Sequence, residues 1–270
     1  MTDVTLVYPY FHPRVDTSIF RFPPLGLGYI AAYLRQNGVS VEIVDCTFLN
    51  QEQALKKIID SKPKIIGIQS MYSMRKKSLE LAKTLRGHCK LLVAGGALPT
   101  TEPETFLNDF DVVVIGEGEQ TMLEIANQFK NGGTLSEIKG VAYKDKDTGQ
   151  TKMTPSRGLM KDIDMLPPPS RELFENYSYQ KYYSEKFGYK TTAIMSSRGC
   201  PFSCDFCSRP IFGNEFRARS AANVVDEVEE AISLGYNRIW FADDCFTLNR
   251  KRLLEVCEEI INHGLRIDWE

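Results

Sequence analysis

Three cysteines stand close together in the segment SSRGCPFSCDFCSRP: Cys200, Cys204 and Cys207. Thiols at such short spacing could be core residues, disulfide partners, ligands of zinc or ligands of an iron–sulfur cluster. Two prolines keep the segment out of regular helix or strand, and an irregular loop allows several thiolates to reach one metal centre. The segment is therefore the first candidate for chemistry in this chain.

The number of thiols favours iron–sulfur over zinc. Structural zinc usually takes four ligands, and Cys245 is the only obvious fourth candidate, with no histidine within 50 residues of the loop on either side. A cubane cluster takes one thiolate per iron, so three cysteines leave one iron open. An open iron is chemically useful because a substrate can bind to it.

Composition restricts the remaining alternatives. With 270 residues, 43% of them hydrophobic, and a net charge of −2, the chain is typical of a soluble globular protein and lacks the basic excess expected of a nucleic-acid binder. No apolar run is long enough for a membrane span and the N-terminus has no secretory pattern, so we expect a cytoplasmic protein. Seven cysteines, an odd number in a reducing compartment, argue against disulfides.

The first 140 residues alternate short apolar runs with amphipathic stretches and predict a doubly wound α/β domain. Strands are predicted at VTLVYP, SVEIVDC, KIIGIQS, KLLVAGG and DVVVIG, with a helix after each. Strands that are apolar throughout imply a parallel sheet, here five-stranded, covered by helices on both faces. Ligands of such sheets bind outside the carboxyl ends of the strands.

A different organisation begins near residue 141. GVAYKDKDTGQTKMTP predicts a β-hairpin, and the proline- and aromatic-rich stretch up to residue 189 predicts a stiff interdomain linker. From 190 to 270 strands and helices alternate again, with the cysteine segment directly after the first strand. At roughly 30 residues per βα unit this length holds two units and the start of a third, so we expect the first part of a (β/α) barrel and a chain truncated at its C-terminus.

Loops at the carboxyl ends of the first five strands are rich in small and hydroxylated residues. GLGYIA and GEGEQT imitate the dinucleotide fingerprint, but the first lies too far beyond its strand and the second would turn two glutamates toward a phosphate. A broad, flat ligand of low charge suits this edge better than a diphosphate, and a structural turn without a ligand is the alternative. The candidate residues at this edge are Ser70, Ser73, Gly95, Gly96, Pro99, Thr100, Gly116, Glu117, Gly118 and Thr121.

The run C-x-x-x-C-x-x-C, with Phe206 before its last cysteine, resembles the signature of the radical S-adenosylmethionine (SAM) superfamily. The surrounding SSRGCPFSCDFCSRPIFGNEFRARS is similar over its whole length to one branch of that superfamily. PPLGLGYIAAYLRQNGVSVEIVDC, AGGALPT and VVVIGEGEQT resemble the cobalamin-binding domain of the same branch. The resemblance implies a Rossmann-like cobalamin-binding domain at 1–140, a hairpin and linker at 141–189, and the N-terminal part of a radical SAM barrel at 190–270.

The resemblance also implies roles for single residues around the cysteine segment. Cys200, Cys204 and Cys207 would bind three irons of a [4Fe-4S] cluster, and the fourth iron would bind the amino and carboxylate groups of SAM. Phe206 would flank the adenine of SAM.

Four charged residues near this segment have two interpretations each. Asp243 and Asp244, in WFADD, would contact SAM; the alternative is that they cap the helix that follows. Arg217 and Arg219 would line the site or, as the preferred interpretation, pair with nearby acids.

The ten candidate residues at the edge of the first sheet would contact cobalamin. The motif D-x-H-x-x-G, whose histidine ligates cobalt in the best-known cobalamin domains, is missing, because His12, His88 and His263 lie outside such a pattern. The resemblance therefore implies cobalt without a histidine ligand. The alternative is that this chain retains the domain but does not use it to bind cobalamin.

The implied activity is that of a cobalamin-dependent radical SAM enzyme, which cleaves SAM reductively at the cluster to activate an unreactive C–H bond. Methyl transfer from methylcobalamin is the first choice. The alternatives are oxidative ring closure or carbon-skeleton rearrangement, a binding fragment without turnover, and a sensing cluster module. The expected partners are a small-molecule substrate, which these residues do not identify, and a one-electron donor such as flavodoxin or ferredoxin.

Overall fold

A computed structural model describes residues 2–11, 21–145 and 147–270. The first part of the chain forms one sheet. Its strands are β1 (Val4–Tyr8), β2 (Val41–Asp45), β3 (Ile65–Gln69), β4 (Leu91–Gly95), β5 (Val112–Val114), β6 (Val141–Lys144) and β7 (Thr151–Met153). The spatial order is β2-β1-β3-β4-β5-β6-β7. The first five strands pair in parallel, whereas β6 and β7 are antiparallel.

The parallel sheet of five strands predicted from the sequence is confirmed. The predicted hairpin is also present, but it extends the same sheet to seven strands instead of belonging to the interdomain segment. Its first strand places Val141 and Ala142, both buried, against the edge of β5. This pairing satisfies the backbone groups of an edge that would otherwise stay open.

Helices cover both faces of this sheet, as the apolar strands require. They are α1 (Leu25–Gln36), α2 (Gln51–Asp60), α3 (Arg75–Leu85), α4 (Ala97–Thr101), α5 (Pro103–Phe106) and α6 (Glu119–Asn131). The helices α1 and α6 bury Leu27 and Met122 against one face of the sheet. On the other face, α2 and α3 bury Ile58 and Leu81.

The segment predicted as a linker contains a further helix, α7 (Asn176–Phe187). Tyr179 and Tyr183 of α7 are buried, and the hydroxyl of Tyr179 donates a hydrogen bond of 2.6 Å to the buried carboxylate of Asp45 at the end of β2. Aromatic side chains therefore hold this segment against the first part of the chain. Its helical conformation was missed because the aromatic residues do not follow a clear amphipathic period.

The second part contains β8 (Thr191–Ile194), β9 (Ser197–Arg198), β10 (Arg217–Ala218), α8 (Ala221–Ser233), β11 (Arg238–Phe241), α9 (Arg250–Asn262) and β12 (Asp268–Trp269). The strands β12, β11 and β8 form a parallel sheet in that order, as expected for consecutive βα units. The two short strands β9 and β10 pair in an antiparallel ladder and close the base of the cysteine loop. Among the residues that the structure describes, no helix is both long and apolar enough to cross a membrane.

Candidate functional site

A cavity of about 240 Å³ opens at the carboxyl edge of the first sheet. Strands β1, β3, β4 and β5 and helices α1 and α6 supply most of its wall, and this is the edge where ligands of doubly wound sheets bind. The loops after β3, β4 and β5 and the start of α4 add further residues, and the second part of the chain contributes Met195, Arg198, Ile211 and Phe212. The cavity therefore lies between the first sheet and the cysteine loop.

Half of the ten predicted edge residues border this cavity: Gly95, Gly96, Gly116, Glu117 and Gly118. Gly96 has a positive φ of 104°, and a Cβ at this position would lie 2.7 Å from the backbone oxygen of Ser70. Only glycine fits there without moving backbone. The loop after β4 therefore lies close to the loop after β3. Because Gly96 has no side chain, it forms an open part of the cavity wall, which we call the glycine floor.

The other five predicted residues, Ser70, Ser73, Pro99, Thr100 and Thr121, are absent from the cavity wall. The buried hydroxyl of Ser70 lies 2.9 Å from that of Ser78, and the hydroxyl of Thr100 accepts a hydrogen bond from the backbone of Gly116. Thr121 accepts one from the guanidinium of Arg157. These three side chains support the loops around the cavity. Their predicted contact with a ligand stays a prediction.

Gln69, which ends β3 and borders the cavity, was not predicted from the sequence. Its side-chain oxygen is buried and has no hydrogen-bond partner among the described residues. A buried acceptor without a donor is costly, so this oxygen is available to a ligand. The signal was present, since Gln69 is the one polar side chain in the strand KIIGIQ that reaches the ligand edge.

The cysteine loop extends from β9 to β10 and carries no helix or strand. Cys200 is half-buried, whereas Cys204 and Cys207 are exposed. Phe206 is 93% exposed, so its predicted contact with adenine needs a ligand that covers it. Gly199 has a φ of 80°, and a Cβ there would lie 2.3 Å from the backbone oxygen of Glu215, because the two ends of the loop are pressed together.

Within the described ranges, no three His, Cys, Asp or Glu side chains converge in a way that could hold a single metal ion. The zinc alternative would need such a convergence of Cys245 with the three loop cysteines. Burial and the neighbouring thiol of Cys200 raise the pKa of the Cys245 thiol. A cubane cluster makes a different demand, because each thiolate binds a separate iron. Three thiols on one exposed loop fit the donor set of a cluster.

Asp243 and Asp244 hold the start of the cysteine loop. The carboxylate of Asp243 accepts hydrogen bonds from the backbone N–H and the hydroxyl of Ser196 and from the same two groups of Ser197. Asp244 accepts one of 3.0 Å from the N–H of Gly199.

The proposed capping role of these aspartates is wrong, because the side chain of Asn249 caps α9 by accepting from the N–H of Arg252. Contact between Asp243 or Asp244 and SAM stays a prediction.

The two arginines that follow the loop pair with acids, as the preferred interpretation holds. Arg219 forms a buried ion pair with Glu227, which also binds Arg171. Burial alone would raise the pKa of Glu227, but the two guanidinium groups outweigh it and lower that pKa. Arg217 donates to both oxygens of Glu117 at 3.0 Å.

The two glutamates of GEGE have a role that sequence analysis did not predict. Their side chains are almost fully buried and bind Arg198 of β9, with Arg198–Glu117 and Arg198–Glu119 distances of 2.7 and 2.6 Å. Burial lowers the pKa of Arg198, but Glu119 and Glu117 outweigh that effect and raise it. These carboxylates are therefore neutralised by Arg198, across the boundary between the two parts of the chain.

The cavity also fits the predicted cobalamin in its chemistry. It combines an apolar wall, a glycine floor at Gly96 and the free acceptor of Gln69. His88 and His263 are not among its lining residues, and His12 lies outside the described residues. The residues that border the cavity and those of the cysteine loop are thus compatible with two cofactors held side by side.

Comparison with known proteins gives matches in both parts of the chain. The model of the B12 binding domain matches residues 12–126, and that of the radical SAM superfamily matches residues 194–270. An uncharacterized methyltransferase of Pyrococcus horikoshii is 34% identical over 95% of this chain and 57% of its own length. The anaerobic magnesium-protoporphyrin IX monomethyl ester cyclase of Rubrivivax gelatinosus is 30% identical over 98% of this chain and 49% of its own length.

Among solved structures, the cobalamin-dependent SAM radical enzyme OxsB, with aqua-cobalamin and SAM bound, superposes with a TM-score of 0.82 at 22% identity. The match covers 100% of this chain and 38% of that one, and it establishes a common fold. The chain thus spans about half the length of the curated relatives that it matches.

Proposed function

Because the chain belongs to the family of proteins that combine a B12-binding domain with a radical SAM domain, we propose that it is the cofactor-binding part of a cobalamin-dependent radical SAM methyltransferase. One observation carries the proposal. The cavity in the B12-binding part is closed by residues of the cysteine loop and its flanks, including Arg198 and Phe212. A ligand in the cavity therefore lies next to the loop that carries the three thiols.

Each part of the site has a defined task in this proposal. Cys200, Cys204 and Cys207 hold a [4Fe-4S] cluster, and the loop that carries them is kept in place by Asp243 and Asp244. When bound, the cluster and SAM supply one-electron cleavage of SAM, and cobalamin supplies a methyl group. The chain itself positions these groups and shields the cavity from water with an apolar wall.

Seven of the ten edge residues fall into two groups in this proposal. The glycines on the cavity wall allow close approach of a large, flat ligand. Ser70, Thr100 and Thr121 fix the loops that carry those glycines, through the hydrogen bonds that they make to neighbouring protein groups.

Oxidative ring closure is the second candidate, favoured by the similarity to the Rubrivivax gelatinosus cyclase. Both candidates need the same two cofactors and the same adjacent sites. The substrate, a small molecule in either case, selects between them and is not identified by the residues of this chain. A fragment that binds cofactors without turnover is the alternative from another class.

The proposal also covers location and partners. Reduced thiols on an exposed loop suit a cytoplasmic protein, because cytoplasmic reductants keep cysteines free. Reduction of the cluster requires a one-electron donor, such as flavodoxin or ferredoxin. We further propose boundaries near 140 and 190 for the two domains.

The test is electron paramagnetic resonance on anaerobically reconstituted, reduced protein, with and without SAM. A cluster signal that shifts on addition of SAM, together with release of 5′-deoxyadenosine, is the expected result. A variant with Cys200, Cys204 and Cys207 all changed to Ala must lose the signal, and Cys257→Ala, on α9, must retain it. A signal indifferent to SAM favours the sensing module, and zinc in place of iron overturns the proposal.

A further inference from the structure

The loop between β5 and α6 belongs to two sites at once. Its residues Gly116, Glu117 and Gly118 line the cavity, as does Glu119 at the start of α6, and the carboxylates of both glutamates bind Arg198. Arg198 is the second residue before Cys200 and also borders the cavity. A single side chain thus connects the wall of the cavity to the first cysteine of the loop.

The contact is held from several directions. Arg198 pairs with Arg217 in the β9–β10 ladder, and Arg217 binds the same carboxylate of Glu117. The backbone of Met160 donates to Glu117 and accepts from Arg217. Two arginines and two glutamates are therefore enclosed with matched charges, and we name Glu117, Glu119, Arg198 and Arg217 the interdomain ion cluster.

A buried cluster of this kind resists partial displacement. The side chains of Arg198 and Glu119 are 2% and 6% exposed, so water cannot replace a lost partner. Removal of one charge leaves another buried and uncompensated. A shift of the loop between β5 and α6 must therefore carry Arg198 with it, and Arg198 is continuous with the cysteine loop.

We propose that the interdomain ion cluster couples the two cofactor sites energetically: filling the cavity with cobalamin favours the conformation of the cysteine loop that binds the iron–sulfur cluster, and the reverse. Arg198, Glu117 and Glu119 are positioning residues in this scheme. The inference rests on the proposed function, because it requires both cofactors. Coupling of binding free energies is reciprocal, so either cofactor can report it.

The experiment measures the affinity of hydroxocobalamin by its visible absorbance, on protein with the cluster reconstituted and on protein stripped of iron, both anaerobic. The cluster should tighten binding of hydroxocobalamin by about 5-fold or more, the lower end of the usual range for coupled sites. Arg198→Gln and Glu119→Gln should reduce this ratio below twofold. Arg198→Lys, which keeps the charge but cannot hold both carboxylates at once, should give an intermediate ratio.

The matched control is Glu124→Gln, the same change on the same helix at a glutamate that pairs with Arg157 away from the boundary. It should leave the ratio unchanged. Equal affinity for hydroxocobalamin with and without the cluster in the unmodified protein overturns the coupling and leaves the proposed function intact. A ratio that survives in Glu119→Gln and Arg198→Gln overturns the role of these residues. Failure of the unmodified protein to bind either cofactor overturns both proposals.

Discussion

The carboxylate of Asp243 accepts hydrogen bonds from both the backbone N–H and the hydroxyl of Ser196, at 2.7 and 2.5 Å. The two residues follow the parallel strands β11 and β8, so the end of one strand fixes the end of its neighbour. Arg252 completes the arrangement by donating to the backbone oxygen of Ser196 at 2.6 Å. The chain that leads into the cysteine loop is thus held by hydrogen bonds within the protein.

Asp243→Asn should weaken this hold and lower the iron content after anaerobic reconstitution to half or less. The amide keeps one acceptor but loses the charge, and a hydrogen bond to a charged group contributes about 1.5–3 kcal/mol. Iron per chain and thermal unfolding measure the effect, and Asp226→Asn, on the exposed face of α8, is the control. Unchanged iron with weaker SAM binding would instead assign Asp243 to direct contact with SAM.

Gly96→Ala should destabilise the protein by about 1–3 kcal/mol and impair binding of hydroxocobalamin. The new methyl group would lie 2.7 Å from a backbone oxygen, at a φ that alanine rarely adopts. Urea unfolding gives the free energy, and absorbance titration gives the affinity. Gly87→Ala, where nothing lies within 4 Å of the added carbon, should be close to neutral in both.

Gln69→Leu should have opposite effects on the empty protein and on binding. Without ligand, loss of a buried acceptor that has no donor among the described residues should raise the free energy of unfolding by about 1–3 kcal/mol. With hydroxocobalamin, loss of the same acceptor should weaken binding about tenfold, the equivalent of one hydrogen bond of about 1.4 kcal/mol. Gln36→Leu, on the exposed end of α1, tests for a general effect of leucine. A lower free energy of unfolding in Gln69→Leu would show that the side-chain oxygen of Gln69 has a hydrogen-bond partner in the protein without ligand.

Glu227→Gln should lower the free energy of unfolding by about 3–5 kcal/mol at neutral pH. The change removes the carboxylate that Arg171 and Arg219 share and leaves both guanidinium groups buried. The pKa of Glu227 is lowered in the folded protein. Its stabilisation is therefore complete above the ordinary pKa of a glutamate and is lost as the pH falls through the lower, folded value. The difference in free energy of unfolding between the unmodified protein and Glu227→Gln, measured across this acidic range, should shrink toward low pH. A constant difference would contradict the sign of the shift.

Much of the fold could be predicted from the sequence, because each parallel strand and its helix are local patterns. The runs that became β1 to β5 were visible as apolar segments, and Ser220 and Gly235, residue types that commonly flank helices, stand at the two ends of α8. The hairpin was visible too. Its pairing with β5 could not be predicted, because the sequence of one strand does not specify which strand lies beside it in the sheet.

The cysteine positions were visible for the same local reason, but the polar contacts around them were not. Glu117 and Arg198 are 81 residues apart, and their charges offered several partners in a single sequence. The carboxylates of GEGE were therefore considered only as groups that would repel a phosphate. Those of WFADD were considered as contacts of SAM or as caps of the following helix. In the structure both pairs bind the cysteine loop or the strand beside it.

The division of the interdomain ion cluster between the two halves has a consequence for recombination. Glu117 and Glu119 come from one half, whereas Arg198 and Arg217 come from the other. A chimera that joins the first half of this chain to the second half of a relative inherits matched charges only if the relative supplies arginine at both positions. When domains are exchanged between such proteins, all four residues of the cluster must therefore be kept together.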